Sequence, residues 1–90
     1  MTNTYQIYLI SDSTGETLER IFLALKAQFK NIDYKIHSYS FTRTENQILK
    51  ILDEAETNNN SIILYTIVDN SLAKYLANTS NNKKIPCFGV

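Results

Sequence analysis

Tyr5-Gln6-Ile7-Tyr8-Leu9-Ile10-Ser11-Asp12-Ser13-Thr14-Gly15-Glu16-Thr17-Leu18 is the stretch whose reading decides the fold of this chain. Its first six residues form a short run rich in β-branched and aromatic side chains and flanked by polar ones, the pattern of a strand. From Leu18 the apolar positions recur at helical intervals, at Leu18, Ile21, Phe22, Leu25 and Phe29. The junction Ser11–Thr17 packs four hydroxyls, one glycine and two carboxylates into seven residues. A strand that feeds a helix through such a turn presents free backbone N–H groups, a positive dipole end and side-chain donors together. That combination suits an oxyanion or a phosphate. A simple helix cap accounts for the same residues, with Ser13 as the capping hydroxyl and Glu16 reaching back three positions later. Both readings hold together, because a cap also positions a loop.

Working outward, Arg20, Lys26, Gln28 and Lys30 fall on the polar side of the first helix, and Asn31 is its expected stop. Tyr34 to Phe41 reads as a second strand. Lys35, His37, Ser38 and Ser40 make it too polar for a strand buried on both faces, so it belongs at a sheet edge. Thr44-Glu45-Asn46-Gln47 has capping-box spacing, and Ile48, Leu49, Ile51, Leu52 and Ala55 follow at helical intervals. Asn58-Asn59-Asn60 ends that helix. Ser61 to Val68 is nearly continuous in apolar, β-rich residues and is expected to be a central strand covered on both faces. Asp69 and Asn70 are caps for a third helix carrying Leu72, Tyr75 and Leu76, with Ala73 and Ala77 beside them. Asn78 to Lys84 reads as a polar loop, and Ile85 to Val90 as a fourth strand with Pro86 tolerated near its start.

This alternation predicts an α/β fold: one domain over residues 1–90, with a parallel four-stranded sheet and three crossover helices. The expected strand order is 2-1-3-4, the first half of a doubly wound fold. The switch point then lies between the first and third strands, so that Ser11–Thr17 and Thr66–Asn70 wall one crevice. Three helices leave part of one sheet face open and apolar, which favours self-association through that face. The chain is accordingly read as the N-terminal part of something larger, a truncated doubly wound fold.

Composition narrows the function classes. Nine basic residues balance nine acidic ones, so nothing marks a surface for nucleic acid or an anionic membrane. No apolar run approaches the roughly 18 residues a bilayer span requires, and Met1-Thr2-Asn3-Thr4 lacks signal-peptide character. One cysteine, Cys87, makes no internal disulfide and suits a reducing compartment; the expected location is the cytoplasm. His37 stands without a second histidine or a cysteine partner, so no metal site is expected. Cys87, beside Phe88, reads as a small core residue.

Candidate functional residues follow from position. Asp12, after the first strand, stands where carboxylates ligate Mg²⁺ or act as bases; hydrogen bonding to local amides is the bland alternative. Asp69 occupies the matching end of the third strand, with helix capping as its alternative. Ser13, Thr14 and Thr17 offer hydroxyls to a phosphate, and Gly15 lets a ligand approach the helix start. Arg43 suits a phosphate or an acidic protein surface, and a solvated arginine ahead of the helix is the bland reading that sequence alone favours.

Ser13-Thr14-Gly15-Glu16-Thr17, between strand and helix, resembles the phosphate loop of the flavodoxin family, which implies a module binding FMN or another phosphate monoester without catalysis. Asp12 and Glu16 add negative charge there, with no lysine or arginine expected nearby to offset it, and the loop after Val68 has no aromatic residue for a flavin. A longer match runs through Leu9-Ile10-Ser11-Asp12-Ser13-Thr14-Gly15-Glu16-Thr17-Leu18-Glu19, Phe41-Thr42-Arg43-Thr44-Glu45, Leu64-Tyr65-Thr66-Ile67-Val68-Asp69 and Ile85-Pro86-Cys87. In that order and spacing these segments resemble the bacterial regulatory proteins of pyruvate, phosphate dikinase and phosphoenolpyruvate synthase. The resemblance implies a bifunctional serine/threonine kinase and phosphorylase. Such a protein uses ADP to phosphorylate and inactivate its target on a threonine, and inorganic phosphate to reverse that modification. It also implies a longer protein with a glycine-rich nucleotide loop, whereas the glycines here are Gly15 and Gly89 alone. The expectation is an N-terminal fragment inactive by itself, with the flavodoxin-like binding module as the alternative.

Overall fold

A computed structural model describes residues 4–28 and 32–90. Its elements run β1 (Tyr5–Ser11), α1 (Glu16–Lys26), β2 (Tyr34–Tyr39), α2 (Glu45–Thr57), β3 (Ser61–Thr66), α3 (Asn70–Asn82) and β4 (Cys87–Gly89). The four strands form one parallel sheet in the order β2-β1-β3-β4, as the alternation predicts. Tyr5 pairs with Tyr34 and Ile10 with Tyr39 on one side of β1; Gln6 pairs with Ser61 and Ser11 with Thr66 on the other. The polar strand β2 is an edge strand. Phe29, Lys30 and Asn31, read as the end of the first helix, lie outside the described residues.

The side-chain alternation of β1 divides the core in two. Tyr8 and Ile10 point to one face, where Ile48, Ile51, Leu52 and Ala55 of α2 and Leu72 and Leu76 of α3 cover them. Ile7 and Leu9 point to the other, where Leu18 and Phe22 of α1 cover them. Ile7 to Ser11 are all buried, so β1 is the strand enclosed on both faces. Each buried Leu, Ile or Phe contributes about 1.5–3 kcal/mol by leaving water.

Several expectations need correcting. β3 is interior in the sheet but not enclosed: Ser61 and Ile63 are buried, whereas Ile62 and Leu64 on the α1 side are only half covered. It also ends at Thr66, and Val68 is 87% exposed. β2 ends at Tyr39, and Phe41, with φ 53°, lies beyond it in the left-handed region. Asn78–Asn82 continue α3 instead of forming a loop. Their helix propensity is poor, but Leu76 and Ser80 pack fully buried against the sheet, and tertiary burial outweighs propensity. Lys83 then clasps α3 to α2 through Asp53 at 3.3 Å and Glu56 at 3.0 Å.

The α2 start is as read. Thr44 accepts from the Gln47 amide at 3.2 Å, and the Gln47 side chain accepts from the Thr44 amide at 3.1 Å. At its far end, Asn58 closes the helix and donates to the Tyr8 hydroxyl at 2.9 Å. Tyr8 stacks on His37 with ring centroids 4.5 Å apart, and Tyr39 donates to Glu54 of α2. These contacts tie the exposed edge strand into the α2 side of the sheet.

Candidate functional site

The C-terminal ends of β1 and β3 and the loops that follow them converge on one hydroxyl, that of Ser11. It is buried, accepts from the Ser13 amide at 3.1 Å and from the Thr66 hydroxyl at 3.3 Å, and lies 3.3 Å from the Ser13 hydroxyl. The Ser11 carbonyl accepts from the amide of Thr42, itself buried, and the Ser13 carbonyl accepts from the Phe41 amide, both at 2.9 Å. The loop after β2 is thereby stitched to the loop after β1.

The helix begins differently from the simple cap. The residue before α1 is Gly15, at φ 83°, and no side chain caps it. Ser13 turns back to Ser11, so the predicted Ser13–Glu16 box does not form. The nearest substitute is a long contact of 3.4 Å from the Glu16 amide to the Thr14 hydroxyl. The first amides of α1 are therefore left without a side-chain cap, while Glu16 and Glu19 in its first turn offset the positive dipole end. Gly15 is needed for its backbone: a Cβ there would lie 3.7 Å from that of Ser11, an ordinary contact, but the left-handed φ disfavours any other residue. Ser13, Thr14 and Thr17 are exposed around this turn.

Asp12 and Asp69 each have a backbone partner. Asp12 Oδ2 accepts from the Val68 amide at 2.8 Å, and the Asp12 amide donates to the Thr66 carbonyl at 3.3 Å. Asp69 Oδ1 accepts from the Leu72 amide at 3.1 Å and caps α3. Because of the Asp12–Val68 bond the two loops meet, and the expected crevice between them is bridged. A small cavity of about 10 Å³ opens instead toward β2, lined by Ser11, Thr14, Gly15, Glu19, Ser38 and Ser40 among others.

Arg43 corrects the sequence reading most. Distant from Asp12 by 31 positions, it donates from Nε to the Asp12 carbonyl at 3.1 Å, and its guanidinium lies 5.3 Å from the centre of the Phe41 ring. A cation therefore does stand beside the loop that sequence adjacency left uncompensated. The cluster gathers Asp12, Ser13, Thr14, Gly15 and Arg43, with Asp69 on the adjoining loop and Thr17 the second residue of α1. Sequence reasoning passed over Ser11 and Thr42 as its organisers. Their signal was a hydroxyl where a strand ends and another before a capping box, each too common to single out.

Cys87 is half-buried against the α3 side, and burial pushes its thiol upward. Among the described residues, no helix is long and apolar enough to cross a membrane.

The model of the kinase/pyrophosphorylase family matches residues 7–90. A protein of Pelagibacter ubique named "Putative pyruvate, phosphate dikinase regulatory protein" is 74% identical over 90 residues, covering 100% of this chain and 33% of the relative. One of the same name from Geotalea uraniireducens is 49% identical over 80 residues, covering 89% of this chain and 29% of the relative. In Bartonella bacilliformis a third is 33% identical over 88 residues, 98% of this chain and 31% of the relative. The chain thus spans about a third of the length of the curated relatives it matches. On a match that runs from β1 to β4, the chain belongs to the kinase/pyrophosphorylase family.

Proposed function

We propose that this chain forms the N-terminal portion of a bifunctional regulator of pyruvate, phosphate dikinase or phosphoenolpyruvate synthase, and that alone it is inactive. In the forward direction the terminal phosphoryl of ADP passes to a threonine hydroxyl of the target, releasing AMP and a proton. In the reverse direction inorganic phosphate attacks the phosphothreonine, restoring the hydroxyl and forming pyrophosphate. The forward reaction needs a backbone cradle and a lysine on the phosphates of its nucleotide donor. With Gly15 and Gly89 as its glycines, this chain has no such glycine-rich loop.

The loops at the ends of β1 and β3 would then serve the acceptor side, meeting the threonine segment or the attacking phosphate. The observation that carries this reading is the bond from Arg43 to the Asp12 carbonyl, three residues before the Gly15 that opens α1. Arg43 Nε holds the Asp12 carbonyl, which leaves the terminal nitrogens of an exposed side chain to meet an anion. Exposed hydroxyls of Ser13, Thr14 and Thr17 and the first amides of α1 are further donors in and directly after the same loop. Asp12 and Asp69 are assigned positioning roles, since each already has an oxygen committed to a backbone amide. The relatives' names favour this reading over a flavin-binding module.

The test supplies the target dikinase with ADP labelled in its β-phosphate and follows label on the target threonine. The 90-residue chain is expected to transfer none. A chimera in which it replaces the corresponding third of the Pelagibacter ubique relative is expected to transfer label, and to release pyrophosphate when given phosphate. Robust transfer by the short chain would sink the assignment.

A further inference from the structure

The face of the sheet that carries α1 is only partly covered. A groove of about 340 Å³ runs beside that helix, with Phe22 and Leu25 as one wall, Ile62 and Leu64 as its floor and Phe88 on the far side. Leu64 and Phe88 are register partners on adjacent strands, so the floor continues unbroken from β3 onto β4. Leu25 is 44% exposed and Phe88 56% exposed. Among the described residues, Lys26 is the one charged residue of the lining. A small ligand would find no convergent polar groups to orient it. An apolar strip alongside a helix, floored by two strands, instead fits the stripe of a second helix packed next to the first.

The topology says which helix. The step from β1 to β2 runs toward one edge of the sheet, and α1 lies on one face; the steps β2 to β3 and β3 to β4 run the other way, and α2 and α3 lie on the opposite face. Crossovers of constant right hand require this split. Any further parallel strand added beyond β4 would likewise place its crossover helix on the α2–α3 face. A chain that goes on building outward from β4 leaves the groove beside α1 to a helix that arrives after the sheet has been completed and the chain has turned back. The family relatives, about three times as long as this chain, carry sequence enough to supply it.

We infer that the α1-side groove is the docking site for an amphipathic helix from the later part of the family's chain, at least one strand–helix–strand unit past the residue aligned with Val90. A second copy of this chain is a poor occupant, because an isologous contact here would set one concave surface against another.

The test places the photo-crosslinking residue p-benzoylphenylalanine at Phe88 in the chimera with the Pelagibacter ubique relative and maps the linked peptide by mass spectrometry. The same residue at Leu25, on the opposite wall, guards against a local effect of the first substitution. Both positions are expected to link within the same chain, to one segment beginning about 30 residues or more beyond the position of Val90, the length of a strand–helix–strand unit. Three results would overturn the inference: links into the stretch directly after β4, links between two copies, or no link from either wall. Sedimentation of the 90-residue chain alone is expected to give a monomer; a dimer abolished by Phe88→Glu would place a second copy in the groove and refute the choice of occupant.

Discussion

Replacing Asp12 by alanine removes one carboxylate oxygen that joins loops 56 residues apart, by accepting from the Val68 amide at 2.8 Å. Hydrogen bonds to a charged group contribute about 1.5–3 kcal/mol, the lower end applying where water has access. Water does have access here: Asp12 is half-buried and Val68 is 87% exposed, so the freed amide can hydrate. The expected cost of Asp12→Ala is therefore about 1–1.5 kcal/mol. For a domain of this size that corresponds to a fall in Tm of roughly 5–10 °C. Asp12→Asn keeps an acceptor of the same shape and loses only its charge, so it should cost less than half as much. Arg43 keeps its hold in both variants, because it is bound by the backbone carbonyl of residue 12. Thermal unfolding followed by far-ultraviolet circular dichroism reads both variants. A cost for Asp12→Ala below about 0.3 kcal/mol, or equal costs for the two variants, would refute the assignment of the carboxylate as a tie between the loops.

Other perturbations test separate parts of the account. Gly15→Ala should destabilise by about 1–2 kcal/mol from the left-handed backbone alone, with Gly15→Asn recovering part of it, because no neighbour blocks the new Cβ; equal losses would point to a clash instead. Leu52→Ala, at a fully buried position, should cost about 2–5 kcal/mol in urea unfolding, against less than about 1 kcal/mol for Leu49→Ala three residues earlier at an exposed position. Burial and the neighbouring Glu54 carboxylate push the Tyr39 phenol up to about 12 from its ordinary 10.0. Its contribution to stability is thus complete below pH 10.0 and falls as the pH rises toward 12, because the unfolded chain loses this proton first. Tyr39→Phe should flatten that alkaline fall, and an unchanged pH profile would count against the Tyr39–Glu54 contact.

Local patterns carried most of the fold. The alternating runs of period two and period 3.6 are enough to order the strands, and the Thr44–Gln47 capping box forms as its spacing predicts. Features that depend on distant partners stayed hidden. Asn78–Asn82 look like loop residues, and only the burial of Leu76 and Ser80 keeps them helical. Ser13 has the right spacing for a cap, but Ser11 competes for its side chain from the adjoining strand end. Nothing in the local sequence of the Ser11–Thr17 loop announces Arg43, since its approach depends on β2 lying beside β1 and on the Thr42 amide binding the Ser11 carbonyl. The open side of β3 was misread for a related reason. A run of apolar residues reports that a strand wants burial on both faces, not that this chain supplies both covers.

In the proposed role, this chain provides the acceptor-side loops of a regulator whose nucleotide loop lies elsewhere, with Arg43 meeting the transferred phosphate. Its most direct test is the rate at which the chimera with the Pelagibacter ubique relative moves label from ADP onto the dikinase threonine, compared between Arg43 and Arg43→Ala. The account predicts a fall of at least about tenfold in both directions of the reaction, the size of one lost charge-assisted contact, with Tm nearly unchanged. An Arg43→Ala chimera that works at the full rate in both directions would contradict it.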